Sequence, residues 1–210
     1  MECEPKVVQL TRGYSAGNRP ADMSEYRKPT PQGTQPLATE RLTLRKFKEY
    51  DAPELHEWSN DEEVLKYFAV NPSEDVEQAK TMIRAWRIQY TQDDFFKWCI
   101  ADADTNKAIG EISASIDEAT STAEVEYMLS PRSRGKGYAP EALREVIRFL
   151  HEKCDIHRVI AEINAHNNAS MRTTEKAGMV LEGIFTDALV NRHGEFYDVG
   201  VFVHVDDGNG

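Results

Sequence analysis

Long apolar runs are missing from this sequence. No stretch approaches the roughly 18 to 20 consecutive apolar residues of a membrane-spanning helix, so no membrane association is expected. The opening residues Met1 to Val8 carry Glu2, Glu4 and Lys6 and no apolar segment, which argues against a secretory leader. Cysteine is scarce. Cys3, Cys99 and Cys154 are odd in number and far apart, form no CxxC pair and match no metal-ligand spacing. That pattern excludes a disulfide scaffold and gives no metal site, and the expected location is the reducing cytoplasm. Positive charge is also in deficit: 25 Lys and Arg against 36 Asp and Glu leave a net charge of −11. Nucleic acid is excluded as a partner, because phosphate contacts need a basic face. The acidity suits a cationic or amine-bearing substrate, and it suits plain solubility equally well.

What is present, 210 residues of which 40% are hydrophobic and 29% charged, fits one soluble domain with a substantial core plus some tail. Residues 1–36 are poor in aliphatic residues and carry Pro5, Pro20, Pro29, Pro31 and Pro36 among several glycines. They read as a flexible N-terminal tail, followed by a folded domain over 37–205 and a frayed end over 206–210. Within the domain, "RLTLRKF" (41–47) alternates like a strand. Asp51 and Glu54 form a capping-box pattern, and Asn71-Pro72 opens a second helix with proline at its first position. "FFKWCIAD" and "AIGEISASI" predict a strand pair turning at Thr105-Asn106, and "AEVEYMLS" (123–130) predicts a third strand. A helix, the strand "HRVIAEINA", a helix from Asn167 or Asn168 to Gly178 and a final hairpin around Arg192-His193-Gly194 complete a mixed α/β domain.

The stretch "SRGKGYAPEALREVI" (133–147) sets two glycines, an arginine and a lysine at the start of a helix. A helix N-terminus already offers free N–H groups and the positive end of the macrodipole. Gly135 and Gly137 let those amides approach a ligand, and Arg134 and Lys136 add full charges, which together make a receptor for phosphate or pyrophosphate. It is not a P-loop, because Lys136 is followed by Gly137 rather than Ser or Thr. Nor is it a dinucleotide fingerprint, because Tyr138-Ala139-Pro140 follows Gly137.

Arg132-x-x-Gly135-x-Gly137 between a strand and a helix resembles the acetyl-CoA pyrophosphate loop of the GNAT family of N-acetyltransferases. Asn167-x-x-Ser170-x-Arg172, then Glu175-Lys176-x-Gly178 and Glu182-Gly183, resembles the branch that acetylates ribosomal-protein N-termini. The likeness covers 37 to about 205. It implies an α/β fold whose mostly antiparallel sheet is splayed at the acetyl-CoA site and flanked by about four helices. It also implies acetyl-CoA as cosubstrate, no metal, and direct attack by an amine within a ternary complex. The acceptor would be a protein N-terminus, a free amino acid or a small amine, and the protein a monomer or homodimer. The resemblance places pyrophosphate on Arg132, Arg134, Gly135, Lys136, Gly137, Tyr138 and Ala139, and pantetheine along Met128 and Leu129. It gives Asn167 a hold on pantetheine and gives Ser170 the protonation of the departing sulfur. As plain helix residues the same two would be an N-cap and a first-turn serine.

Glu124 and Glu126 lie two apart and share one face of a strand, where a carboxylate can take the amine proton; solvated strand glutamates are the alternative. Tyr127, on the opposite face, is expected in the core, and His157-Arg158 at a helix-to-strand junction. The sequence departs from the branch twice: Glu126 stands where a glycine often precedes the tyrosine, and Leu189 stands where some relatives carry an acid. A catalytically weak acyl-CoA-binding sensor is the alternative function.

Overall fold

A computed structural model of the chain describes residues 28–67, 72–191 and 193–206. Eight strands form one sheet: β1 (Leu37–Ala38), β2 (Leu42–Arg45), β3 (Phe96–Asp102), β4 (Ala108–Asp117), β5 (Thr122–Leu129), β6 (Arg158–Asn164), β7 (Val180–Val190) and β8 (Phe196–Val205). Their order is β1-β2-β3-β4-β5-β6-β8-β7. Neighbours are antiparallel except β5 and β6, which run parallel. The helices are α1 (Ala52–Ser59), the four-residue α2 (Glu62–Leu65), α3 (Val76–Gln89), α4 (Tyr138–Cys154) and α5 (Asn168–Lys176). No helix among the described residues is long and apolar enough to cross a membrane.

Two cores sandwich the sheet. On one face α4 buries Ala142, Leu143, Val146, Ile147 and Leu150 against Trp98, Ile112, Val125, Ala161 and Phe202. Each fully buried Leu, Ile or Phe there contributes about 1.5–3 kcal/mol. On the other face α1 and α3 set Leu55, Trp58, Ala79 and Ile83 against Cys99, Ala101, Ala108 and Met128. Helices α1 and α3 cover this second face over β3 to β5, with no described helix in that core cluster over β6, β7 and β8. The parallel pair follows from the connection, because β5 returns to β6 through the 17-residue α4, and parallel strands need such a crossover.

Three local expectations change. Asp51 does not cap α1 with its side chain; its carboxylate takes two hydrogen bonds from buried Arg45, at 2.7 and 2.8 Å, and one from the Lys48 amide. Helix α3 starts at Val76, not at Pro72, because Asp75 supplies the cap by accepting from the Gln78 amide at 2.7 Å; Asn71 lies outside the described residues. Residues 28–36, read from composition as tail, dock on the domain; residues 1–27 lie outside the described residues. The Thr30 amide donates to the Cys154 carbonyl at 2.8 Å, and the Trp98 indole donates to the Gln35 carbonyl at 2.6 Å. Backbone pairing does here what aliphatic burial does elsewhere.

Thr34 adds two further bonds to this docking. It is 2% exposed, donates to the Phe95 carbonyl at 2.8 Å and accepts from the Lys97 amide at 2.9 Å. Thr34→Ala strands two backbone groups, and the expected loss is about 1–3 kcal/mol of unfolding free energy by urea titration. An unchanged midpoint would show that water replaces both bonds.

Candidate active site

Strands β5 and β6 pair only at Thr122–Arg158, Ala123–Val159 and Glu124–Ile160. Beyond that point β5 stays zipped to β4 as far as Leu129, and β6 to β8 as far as Asn164. The two strands therefore part beyond Glu124–Ile160 while each keeps its outer partner, and a cleft opens between them. Over residues 125–129 the β5 edge turned toward the cleft has no β6 partner. The cleft opens at the carboxyl ends of two parallel strands, the usual ligand crevice of such sheets. Each strand then leads into a helix, α4 or α5, whose N-terminus lies at the mouth with its free amides and positive dipole end.

The loop before α4 has the backbone an anion cradle needs. Gly135 and Gly137 take φ of +75° and +82°, where a side chain is strained. Gly137 caps α4. Arg41 ties the loop down. Its guanidinium donates to Glu141 in the first turn of α4 and to the Lys136 carbonyl at 3.0 Å, and it lies 4.8 Å over the Tyr138 ring. Burial tends to raise the Glu141 carboxyl, but hydrogen bonds from Thr39 and Arg41 outweigh it and hold the group below the usual carboxylate range. The structure turns Arg132 to Glu57 (3.0 Å) and Arg134 to Asp61 (3.7 Å), both exposed at the mouth. Lys136 is exposed and Tyr138 half-buried. Ala139 is buried in the core, so only its amide faces a ligand at the helix start.

On the open face of the sheet, Glu124 and Glu126 lie side by side along β5, as their spacing predicts. Glu162 joins them from β6 and Tyr197 from β8. Burial, and then the charges of Glu162 and Glu126, push Glu124 up to about 7. Burial and the same two glutamates push Tyr197 up as well. Sequence reasoning missed Glu162 and Tyr197. Alternation along "RVIAEIN" puts Glu162 on the face opposite Val159, Ala161 and Ile163, but only the parallel pairing puts it beside Glu124.

The other face of the cleft holds Ser170 and Asn167. Asn167 caps α5, its side-chain oxygen accepting from the Ser170 amide at 3.1 Å. Tyr127 is half-buried against the core as expected, but its hydroxyl reaches out to Ser170, 2.6 Å from Oγ and 3.0 Å from the carbonyl. Met128 and Leu129 are buried on opposite faces, so the part of them that meets the cleft is backbone. Glu124, Glu126, Met128 and Leu129 thus lie on β5 and Asn167 and Ser170 at the start of α5, both bordering the cleft, whereas Leu189 lies on the sheet-edge strand β7. Among the described residues no group of three or more His, Cys, Asp or Glu is placed to hold a metal ion.

Residues 41–180 match the family described as the acetyltransferase (GNAT) domain. The chain is 31% identical over 167 residues to an uncharacterized N-acetyltransferase p20 of Bacillus licheniformis, covering 79% of this chain and 93% of that one. Its fold is similar to the crystal structure of ribosomal-protein-S5-alanine acetyltransferase from Vibrio fischeri (TM-score 0.71, 21% identity, 82% and 97% of the two chains). It is also similar to the microcin C7 self-immunity acetyltransferase MccE in complex with acetyl-CoA and AMP (TM-score 0.71, 24% identity, 85% and 99%).

The glycine loop is separable from the fold. A Cβ built on Gly135 meets nothing within 4 Å, so Gly135→Ala carries only the left-handed backbone cost of about 1–2 kcal/mol. Chemical denaturation should show that loss and no more. A larger one would mean that the loop is packed against the domain.

Proposed function

Because the chain belongs to the GNAT family of acetyltransferases, we propose that it moves an acetyl group from acetyl-CoA to an amine held on the Glu124 face of the β5–β6 cleft. The observation that carries this reading is the parting of the two strands just beyond Glu124–Ile160. It sets a carboxyl group poised near neutral pH beside unpaired strand backbone, between two helix N-termini.

In this reading the pyrophosphate rests on the amides of Gly135 to Ala139, the Arg134 amide being held by the Pro131 carbonyl, and Arg132 and Arg134 exchange their surface carboxylates for phosphate. Pantetheine lies along the β5 edge at Met128 and Leu129 like an added strand. The Asn167 oxygen is occupied by the α5 cap, so its amide NH₂ is the end that meets pantetheine. The acceptor amine arrives as a cation, drawn by Glu124, Glu126 and Glu162. Glu124 takes one proton from it, directly or through water. The amine lone pair then attacks the thioester carbon, and strand amides in the cleft hold the oxyanion. As the tetrahedral intermediate collapses, the nitrogen gives its second proton to solvent, the carbon–nitrogen bond stays, the carbon–sulfur bond breaks, and the thiolate departs toward the Ser170 hydroxyl. The products are the N-acetylated amine and CoA. The acceptor is a peptide N-terminus, such as that of a ribosomal protein, or a free amino acid or small amine.

CoA release with acetyl-CoA and a panel of Ala- and Ser-initiated peptides, amino acids and diamines tests the assignment; no release above the rate in water would overturn it. The base assignment has its own signature. Glu124 acts only when deprotonated, so the rate should climb as pH rises through about 7. Glu124→Gln should lower kcat/KM about 10²–10⁴-fold and erase that rising limb. A limb that persists in the variant would transfer the role to another group.

A further inference from the structure

We propose that Tyr127 is a positioning residue for Ser170, fixing the serine hydroxyl so that its proton points into the cleft at the departing sulfur. The proposal rests on the acetyl-transfer reading above and assigns a task to a residue that the sequence places in the core.

The geometry presents a choice with two outcomes. The Tyr127 hydroxyl has one proton, and Ser170 offers it two acceptors, Oγ at 2.6 Å and the carbonyl at 3.0 Å, with the Thr173 hydroxyl beside them. If it donates to the carbonyl, Ser170 turns its own proton to the phenol oxygen and presents the cleft with a lone pair. If it donates to Oγ, the serine proton is released toward the cleft. A sulfur gathering negative charge selects the second arrangement, because Ser170 then accepts one bond while giving another and each strengthens the other. Burial holds the phenol up to about 12, against the pull of hydrogen bonds with Ser170 and Thr173, so Tyr127 stays a neutral donor at working pH.

The same numbers define what the pair does. A thiol titrates near 8.5, well below the phenol and further below an alcohol. Complete transfer of a proton from Tyr127 through Ser170 to the thiolate is uphill. The pair therefore stabilises the leaving sulfur by a hydrogen bond from Ser170 that is aimed and polarised by Tyr127, and the thiolate takes its proton from solvent afterwards. Both oxygens keep their protons, and no charge is left on the protein.

A double-mutant cycle in the full-length protein decides the matter. Turnover is read as CoA release with the most active acceptor of the panel, or as hydrolysis by water if none is active. Wild-type acceptor turnover tests the acetyl-transfer reading; the variants are then measured relative to wild type. Tyr127→Phe keeps the ring, so CoA affinity and the KM for acetyl-CoA should hold while kcat falls about tenfold, the worth of one aligned hydrogen bond. In a Ser170→Ala background the same change should have almost no effect. Site-specific 3-fluorotyrosine at 127, a stronger donor of nearly the same shape, should keep kcat at or above wild type, and it serves as the measurement if the phenylalanine variant does not fold. An unchanged kcat in Tyr127→Phe, a full tenfold loss persisting without Ser170, or a loss of kcat with fluorotyrosine would each overturn the proposal.

Discussion

The site depends on one structural fact: β5 and β6 pair for only three residues and then separate, each keeping its other neighbour. β5 follows β4 through eight consecutive registered pairs, and β6 follows β8 through seven. Three parallel pairs join them at the closed end, and beyond these each strand continues with its outer partner alone. The residues to which the proposed reaction assigns roles stand around this divergence. The gap exposes strand backbone without the cost of an orphaned sheet interior, because an extended ligand can complete the pairing that β6 abandons.

The divergence also separates two kinds of chemistry by the pleat of a single strand. Glu126 and Tyr127 are consecutive, so they project to opposite faces. The carboxylate side is shared with Glu124, Glu162 and Tyr197 and collects cations; the hydroxyl side is shared with Ser170 and faces α5. In the proposed reaction, the amine shedding its proton and the sulfur gaining charge would thereby sit on different sides of one peptide unit. A carboxylate beside the leaving sulfur would oppose its departure, and the sheet itself keeps them apart.

How much of this was legible depended on sequence distance. The glycine loop, the α4 stripe and the Asn167 cap are contiguous in sequence, and spacing alone exposes them. Tyr127 and Ser170 are 43 residues apart; alternation assigns Tyr127 to the inner face but gives no hint that its hydroxyl finds a partner there. Glu162 is hidden for the same reason, since its neighbourhood with Glu124 exists only through a parallel pairing that needs α4 to return the chain. Asp51 was misread because a capping box is a local preference and buried Arg45 is a stronger claimant. An unpaired guanidinium there would cost several kcal/mol, more than the roughly 1 kcal/mol of a cap. Residues 28–36 resemble a tail in composition because their docking uses carbonyls and amides, which composition does not register.

One feature of the loop runs against its apparent purpose. Glu141 places a carboxylate within the first turn of α4, where the dipole favours it but an incoming pyrophosphate would be repelled. Arg41 resolves the conflict. By engaging both Glu141 and the Lys136 carbonyl, it cancels the acid and pins the loop from outside, at the start of β2. The helix end then keeps its free amides, while the carboxylate of its first turn is already paired. An arginine from the start of a neighbouring strand thus offsets the acid beside the loop, and the glycines, with no side chain to position, fix only the loop's shape.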